Sequence, residues 1–507
     1  MTLRRCLFAH RFALAAAFAG LTACGPNQAP PSTDAATNND APEQLALGQL
    51  RLRACSLDAP LGSEAIAAQC TRFAVPEDRS KPGGRKIDLR IAWLPPRDQA
   101  DSMPDPVVFI AGGPGQSAVD SYPQVAQALR DINKQRGILL VDQRGTGQSN
   151  PLLCDTRQTE NLPAEGYTAF ARDCARTLSA KADLTRYTTT DAVADLDAVR
   201  QAIGAAQINL FGVSYGTRVA QQYAMRHPQA TRSIVLDSPV PNSVGLGNIF
   251  AHNLQQALTA QFALCKRDAA CRDKLGDPLA EADSLMTRLR QAPQDVTFRD
   301  PRTAQQQQTT LRAEDVAGLI RMYAYAPMVG ALLPQLIHEA NQGRYQNLAA
   351  LSHMLKAQMH DALAMGMQLS VVCSEDRHSL VARPEDAGSL LGSSVTDLMA
   401  RMCAAWPSAP VPADFSQPLR SAVPALILAG EFDPVTPPAY GKDIVTHLRN
   451  GRLLVLNGQG HNVIGAGCMP KLFAQFVETA DARALDVRCL DTLPYTPPFT
   501  SFNGWEP

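Results

Sequence analysis

The pattern of the chain predicts an α/β fold: a mostly parallel central sheet with helices on both faces and a mainly helical insertion. Three observations carry that expectation. Short, largely apolar runs at 107–111, 137–141, 207–211, 233–236, 425–429 and 452–456 read as strands of a mostly parallel sheet, with 107–111 and 137–141 as buried ones. Helical periodicities stand between several of these runs, as a succession of βαβ units requires. The rhythm then stops between 241 and about 415, where helical patterns such as 253–265 and 345–367 follow one another without comparable strands. The expected division is therefore a first core part (45–240), an inserted helical cap (241–415), and a second core part with the C-terminal tail (416–507), preceded by two short segments (1–23 and 24–44). At 507 residues the chain is long for one domain, but an α/β core with a large insertion accommodates it.

The first segment is an export signal by composition. Arg4, Arg5 and Arg11 precede or open an apolar run at 12–19 that is too short to span a membrane. Leu21-Thr22-Ala23-Cys24 resembles a bacterial lipoprotein processing box, which implies cleavage before Cys24, lipidation of its thiol and location in the cell envelope. An ordinary cleaved signal and a secreted protein are the alternative. Residues 25–44 are mostly Pro, Ala, Asn and Thr with little to bury, so they read as a tether between lipid and folded body. Removal of 1–23 leaves 44 of the 47 basic residues against 48 acidic ones, without a basic block, which argues against a nucleic-acid partner.

Cysteine usage agrees with export. Besides Cys6 and Cys24 there are ten, an even number that suggests five disulfides. Pairing neighbours along the chain is the simplest arrangement: Cys55 with Cys70, Cys154 with Cys174, Cys265 with Cys271, Cys373 with Cys403, and Cys468 with Cys489. No cysteine pair or histidine stands at zinc spacing, and no metal or cofactor is expected.

Taken in order, 85–94 reads as an outer strand with Ile87, Leu89 and Ile91 on one side. The strand at 107–111 runs into Gly112-Gly113-Pro114-Gly115, whose backbone can present N–H groups to a developing oxyanion. After the strand at 137–141, Asp142, Arg144, Gly145 and Gly147 read as a tight scaffold loop. Thr190 is the expected cap of a helix with Val193, Leu196, Val199 and Ile203 on its apolar face and Gly204 as its stop. The strand at 207–211 meets Gly212-Val213-Ser214-Tyr215-Gly216 and passes at once into a helical pattern ending at His227-Pro228. This is the sequence form of a nucleophile elbow, a strained turn that lifts a serine above the sheet edge. Asp237-Ser238-Pro239 ends the next strand, and the Gln305–Gln308 run is taken as an exposed segment. Past the insertion, Asp433 follows the strand at 425–429 and His461 follows the strand at 452–456. A helix at 470–478 precedes the tail.

Ser214, Asp433 and His461 thus lie beyond strand ends on one side of a parallel sheet, in the chain order of a serine hydrolase triad. His461 takes the Ser214 proton as attack begins and returns it to the leaving group; Asp433 orients and stabilises the imidazolium; N–H groups of Tyr215 and Gly113 form the oxyanion hole.

The glycine tetrad, the 142–149 loop, Gly212-Val213-Ser214-Tyr215-Gly216-Thr217 and the Asp433 segment together resemble exported tripeptidyl aminopeptidases and the related proline iminopeptidases, over about residues 50–490 and more weakly within the cap. The resemblance implies an α/β-hydrolase with a cap that removes short units, tripeptides in the first case, from peptides with free N-termini. One departure stands out: iminopeptidases usually carry histidine before the tetrad, where this chain has Ala111. An exopeptidase must also bind the substrate's α-ammonium, for which a cap carboxylate is suited. Glu375 or Asp376, after Cys373, is the candidate, although Arg377 could equally neutralise them. An esterase or acyl-amide hydrolase would use the same triad, and a non-catalytic peptide-binding envelope lipoprotein is the alternative outside the enzymes.

Overall fold

The computed structural model describes residues 44–58, 64–159, 162–359 and 363–503, so the expected signal segment, Cys24 and the tether up to residue 43 lie outside the described residues. Twelve strands are seen there: β1 (Leu45–Leu47), β2 (Leu50–Leu57), β3 (Ile66–Pro76), β4 (Lys86–Leu94), β5 (Met103–Ile110), β6 (Arg136–Val141), β7 (Ile208–Val213), β8 (Thr231–Asp237), β9 (Gln294–Arg299), β10 (Gln306–Leu311), β11 (Ala425–Gly430) and β12 (Gly451–Leu456). Ten of them make one sheet in the order β1-β2-β3-β4-β6-β5-β7-β8-β11-β12. From β6 to β12 neighbouring strands are parallel; β1 to β4 are antiparallel, and β4 joins β6 antiparallel.

The parallel strands β5, β7, β8 and β11 are covered on both faces, which is why their sequences are largely apolar runs, whereas β12, at the sheet edge, is only partly covered and leaves Val455 exposed. Val108, Leu139, Leu210, Ile234 and Ile427 belong to one apolar cluster; Phe109, Leu140, Phe211, Val235 and Leu428 belong to another. The helices α1 (Ala118–Leu129), α2 (Gly166–Ser179), α3 (Thr189–Ala202) and α4 (Tyr215–Arg226) connect the strands of the first core part. The Phe211 ring also meets Phe473, on the last helix of the chain, at 5.0 Å.

Between β8 and β11 lies the insertion. It contains α5 (Phe250–Arg267), α6 (Ala269–Leu275), α7 (Pro278–Gln291), α8 (Ala313–Tyr323), α9 (Pro327–Gly330), α10 (Leu333–Asn341), α11 (Gln346–Met359), α12 (Met365–Glu375) and α13 (Ser394–Ala405); α14 (Pro438–Thr446) and α15 (Met469–Thr479) complete the second core part. The insertion has two kinds of packing. Leu254, Leu258, Phe262, Leu285, Ile320 and Ile337 share an apolar cluster of their own. Met367, Leu369, Val371, Met402 and Trp406, from α12, α13 and the residue after, instead join the cluster on one face of the sheet.

Three expectations are corrected. The strand at 85–94 is not an outer one: β4 lies inside the sheet, with β3, β2 and β1 beyond it. The helix cap is Thr188 rather than Thr190; its Oγ1 accepts the Asp191 N–H at 3.2 Å, and α3 starts at Thr189. The pattern at 345–367 is not one helix, since α11 ends at Met359 and α12 begins at Met365. The glutamine run is exposed as expected at Gln305, Gln306 and Gln308, and Gln306, Gln307 and Gln308 pair with Arg299, Phe298 and Thr297 in an antiparallel β9–β10 hairpin within the otherwise helical insertion.

All ten cysteines outside the first 24 residues are joined, as Cys55–Cys70, Cys154–Cys174, Cys265–Cys271, Cys373–Cys403 and Cys468–Cys489. Among the described residues, no helix is long and apolar enough to cross a membrane.

Candidate active site

Ser214 stands between β7 and α4 with φ +55° and ψ −122°, a conformation that costs a non-glycine residue backbone strain. The flanking glycines make the turn possible. A Cβ at Gly212 would lie 2.4 Å from the Gly216 carbonyl oxygen, and one at Gly216 would lie 2.3 Å from that of Ile110. The Ser214 N–H is held by the Asp237 carbonyl at 3.0 Å, so the elbow hangs on the end of β8.

The glycine tetrad lies against the elbow: a Cβ at Gly112 would be 3.1 Å from the Ser214 Cβ. Gly113 and Gly115 have φ of +105° and +110°, which only glycine takes without strain. The stretch that leads into α12 rests on this loop. Ala364 donates its N–H to the Gly115 carbonyl at 3.0 Å, and the Leu363 side chain approaches Gly113.

Asp433 and His461 follow β11 and β12. Their loops approach so closely that a Cβ at Gly430 would fall 1.9 Å from the Gly460 oxygen. His461 Nδ1 lies 2.8 Å from Asp433 Oδ2, with the imidazole only 8% exposed and the carboxylate fully buried. Asp433 Oδ1 accepts the N–H groups of Val435 and Thr436, and Oδ2 accepts the Thr436 hydroxyl, which aims the carboxylate at the imidazole. Burial pushes the Asp433 pKa up, but the imidazole and these hydrogen bonds outweigh it and the carboxyl sits below its ordinary value. Burial likewise pushes His461 down, yet the charge and hydrogen bond of Asp433 win, with help from Asp237, and the imidazole sits above its ordinary value.

The insertion touches this pair. Tyr325, just past α8, accepts the His461 N–H on its carbonyl at 2.8 Å, and its ring meets the imidazole edge-on with centroids 5.0 Å apart. From α5, Asn253 donates to the Val435 carbonyl at 2.6 Å and Gln261 to that of Phe432 at 3.5 Å, so the Asp433 loop is held from both sides.

Glu375 and Asp376, at the end of α12, have a partner that was not foreseen. Arg218, on α4 one turn beyond Ser214, donates to Asp376 at 2.9 Å, comes within 3.7 Å of Glu375 and donates to the Val244 carbonyl. Glu375 also accepts the N–H and hydroxyl of Thr189 at 2.6 and 2.9 Å, and that hydroxyl is 2.7 Å from the Tyr215 phenol oxygen. The Glu375 and Arg218 side chains are fully buried and Asp376 is 5% exposed, so in this arrangement neither acid presents a free carboxylate. Burial raises the Glu375 carboxyl to about 7, with Arg218 pulling it down and Asp376 pushing it up. Arg377 is occupied elsewhere, donating to the Cys373 and Trp406 carbonyls. Arg218, Thr189, Asp237 and Tyr325 were not picked out from the sequence. The one available signal was an arginine four residues after Ser214, one turn along the helix that follows it.

Asp142 and Arg144 support the elbow's surroundings. The Asp142 carboxylate accepts from Ser117 and Val119, and Arg144 forms a buried two-point pair with Asp195 at 2.6 and 2.7 Å.

A parallel sheet that raises a strained serine beside its edge, with a His–Asp pair on the two strands beyond, defines an α/β-hydrolase with serine chemistry. The family profile described as "alpha/beta hydrolase fold" matches residues 105–465, and the chain belongs to that family as a serine hydrolase. It is similar to serine protease Hip1 of Mycobacterium tuberculosis, 26% identical over 447 residues that cover 79% of this chain and 82% of that one. It also resembles the tripeptidyl aminopeptidase of Streptomyces lividans, 29% identical over 189 residues (34% and 35% of the two chains), and the proline iminopeptidase of Xylella fastidiosa strain 9a5c, 34% identical over 131 residues (26% and 31%).

Proposed function

We propose that the protein is a serine aminopeptidase that releases short units, tripeptides by the first resemblance, from peptides with free N-termini. The observation that carries the chemistry is the buried His461–Asp433 pair at 2.8 Å, whose loop is bonded to the same Asp237 that holds the N–H of Ser214 at positive φ. The peptidase relatives favour a peptide over an ester. In this reading Ser214 Oγ attacks the scissile carbonyl while its proton passes to His461 Nε2, and the negative oxygen is met by the N–H groups of Tyr215 and Gly113. Collapse of the tetrahedral centre breaks the C–N bond as His461 protonates the departing amine. Water, deprotonated by the same imidazole, then hydrolyses the acyl-enzyme. An oxyanion donor of this kind is worth about 3 kcal/mol in the transition state.

Recognition of the chain end is assigned to the Glu375–Asp376 pair. Two carboxylates there share one guanidinium, so with both ionised the buried cluster is one positive charge short. A substrate α-ammonium is the cation that would complete it, at the expense of some of the present contacts to Arg218 or Thr189. The five disulfides suit an oxidising compartment. Export with a lipid on Cys24 and a tether to residue 44 is the proposed setting, and intact-mass measurement of membrane-extracted protein tests it.

The functional test is kcat/KM for short peptide amides with free or acetylated N-termini, in the parent, Glu375→Gln and Asp376→Asn proteins. A strong preference for the free amine that falls in one variant supports the reading. Equal turnover of free and blocked substrates by the parent overturns it in favour of an endopeptidase or esterase.

A further inference from the structure

Asp237 ends β8, two strands from the β12 end that leads to His461, and its two polar ends serve different parts of the site. Its carbonyl accepts the Ser214 N–H at 3.0 Å. Its carboxylate accepts the Val463 N–H at 2.9 and 3.0 Å and the Ile464 N–H at 2.9 Å, two and three residues beyond His461. The next residue continues the pattern: Ser238 Oγ accepts the Asn462 N–H at 2.7 Å and donates to Asp237 at 3.3 Å, while its own N–H binds the Leu428 carbonyl on β11. Asn462 takes a positive φ of 70°, so the loop is bent around these contacts. Three consecutive N–H groups after the histidine are thus satisfied from the segment that also fixes the serine.

We propose that Asp237 is a positioning residue that couples the Ser214 elbow to the His461 loop, so that nucleophile and base keep their relative placement through turnover. The inference rests on the assignment of Ser214 and His461 above. Asp237 is not the triad acid, because Asp433 occupies His461 Nδ1 and Asp237 spends both carboxylate oxygens on main-chain N–H groups. Its effect is therefore on geometry and on charge. An ionised carboxylate makes stronger bonds to the loop N–H groups than a neutral carboxyl, one of whose oxygens has become a donor facing donors.

The charge is poised near the working range. Burial raises the Asp237 carboxyl to about 6, opposed by the Val463 and Ile464 N–H groups and by His461, and reinforced by Asp433. These two, His461 and Asp433, are the titratable groups that face it. Below that pH the carboxylate gains a proton and loosens its hold on Val463 and Ile464, in addition to the proton that disables His461.

The test combines the parent with two variants. In the parent, log kcat/KM should fall with a slope near 1 as His461 protonates and steepen toward 2 below about pH 6. Asp237→Asn should remain folded by circular dichroism and still be labelled at Ser214 by a serine-directed phosphonate. Its kcat should drop about 10- to 100-fold with KM within about twofold, and its acid limb should keep a slope of 1 and shift to lower pH, because a charge that raises the His461 pKa is gone. Ser238→Ala, which removes the acceptor for Asn462 and the 3.3 Å donor to Asp237, should lower kcat a few-fold by the same route and decides the matter if Asp237→Asn does not fold. A slope of 1 in the parent down to pH 5, or kcat within twofold of the parent in the folded variants, overturns the proposal. Failure of the Ser214 assignment on which this rests would show differently, as phosphonate labelling that survives Ser214→Ala, and failure of the aminopeptidase reading as equal turnover of free and blocked peptides by the parent.

Discussion

The Tyr325 carbonyl accepts the His461 main-chain N–H at 2.8 Å, so a residue of the insertion holds the loop that carries the imidazole. The insertion thus supports the loop that carries His461. Tyr325→Ala keeps the carbonyl but removes an edge-on ring contact worth about 1 kcal/mol, and kcat should fall roughly fivefold. Tyr325→Phe should be close to neutral, because the phenol takes only a 3.4 Å bond from Arg321. Gly460→Ala should be worse than either, since its Cβ would stand 2.2 Å from the Tyr325 oxygen. Steady-state kinetics on the three variants check the order.

Asp433→Asn removes the charge that overcomes burial at His461. The folded imidazole pKa should drop, and because the base acts deprotonated, the acid limb of kcat/KM should move to lower pH. At its new plateau kcat should still be lower by on the order of 10³- to 10⁴-fold, since the amide no longer holds the correct tautomer. A pH–rate profile of the purified variant measures both effects.

Glu375 makes stability depend on pH in a defined direction. Its folded carboxyl holds a proton up to about 7, against 4.5 as the ordinary value, so its stabilising contribution is complete below 4.5 and is lost as pH rises toward 7. Glu375→Gln should remove that decline, visible as a smaller difference in Tm between pH 4.5 and 7.5. Arg218→Met should instead cost several kcal/mol near neutral pH, because it removes the cation paired with the buried Asp376 and leaves Glu375 to hold its proton to higher pH.

Loss of the Cys373–Cys403 bridge, whose half-cystines are 30 residues apart, should lower stability by about 2–4 kcal/mol. The double serine variant, followed by thermal unfolding, reads this. The same variant should weaken any preference for free N-termini if the bridge helps hold α12 and its two acids.

What could be read from the sequence follows what kind of contact each residue makes. Strands β5, β7, β8 and β11 are buried on both faces, so runs such as Val107-Val108-Phe109-Ile110 announce themselves. β2 and β3 have one wet face, and Leu50-Arg51-Leu52-Arg53 or Gln69-Cys70-Thr71-Arg72 gives no such run; with those strands unseen, β4 looked like an edge. The cysteine pairs were legible because each closes a short loop, from 6 to 30 residues. The positions of Ser214, Asp433 and His461 were legible because each lies within five residues past the end of a parallel strand. Asp237 ends one too, but its role rests on Val463 and Ile464, 226 and 227 residues away, and Arg218 finds Asp376 across 158. Contacts of that span leave no periodicity or spacing to read.

The central claim is that Ser214 is the attacking atom, made reactive by His461 and Asp433. Peptide mapping by mass spectrometry after treatment with a serine-directed phosphonate tests it most directly. The account predicts a single adduct on Ser214 in the parent, much slower labelling in Asp433→Asn, and none in folded Ser214→Ala, where one oxygen is lost and no core volume. Undiminished labelling of Ser214→Ala at another residue would contradict it.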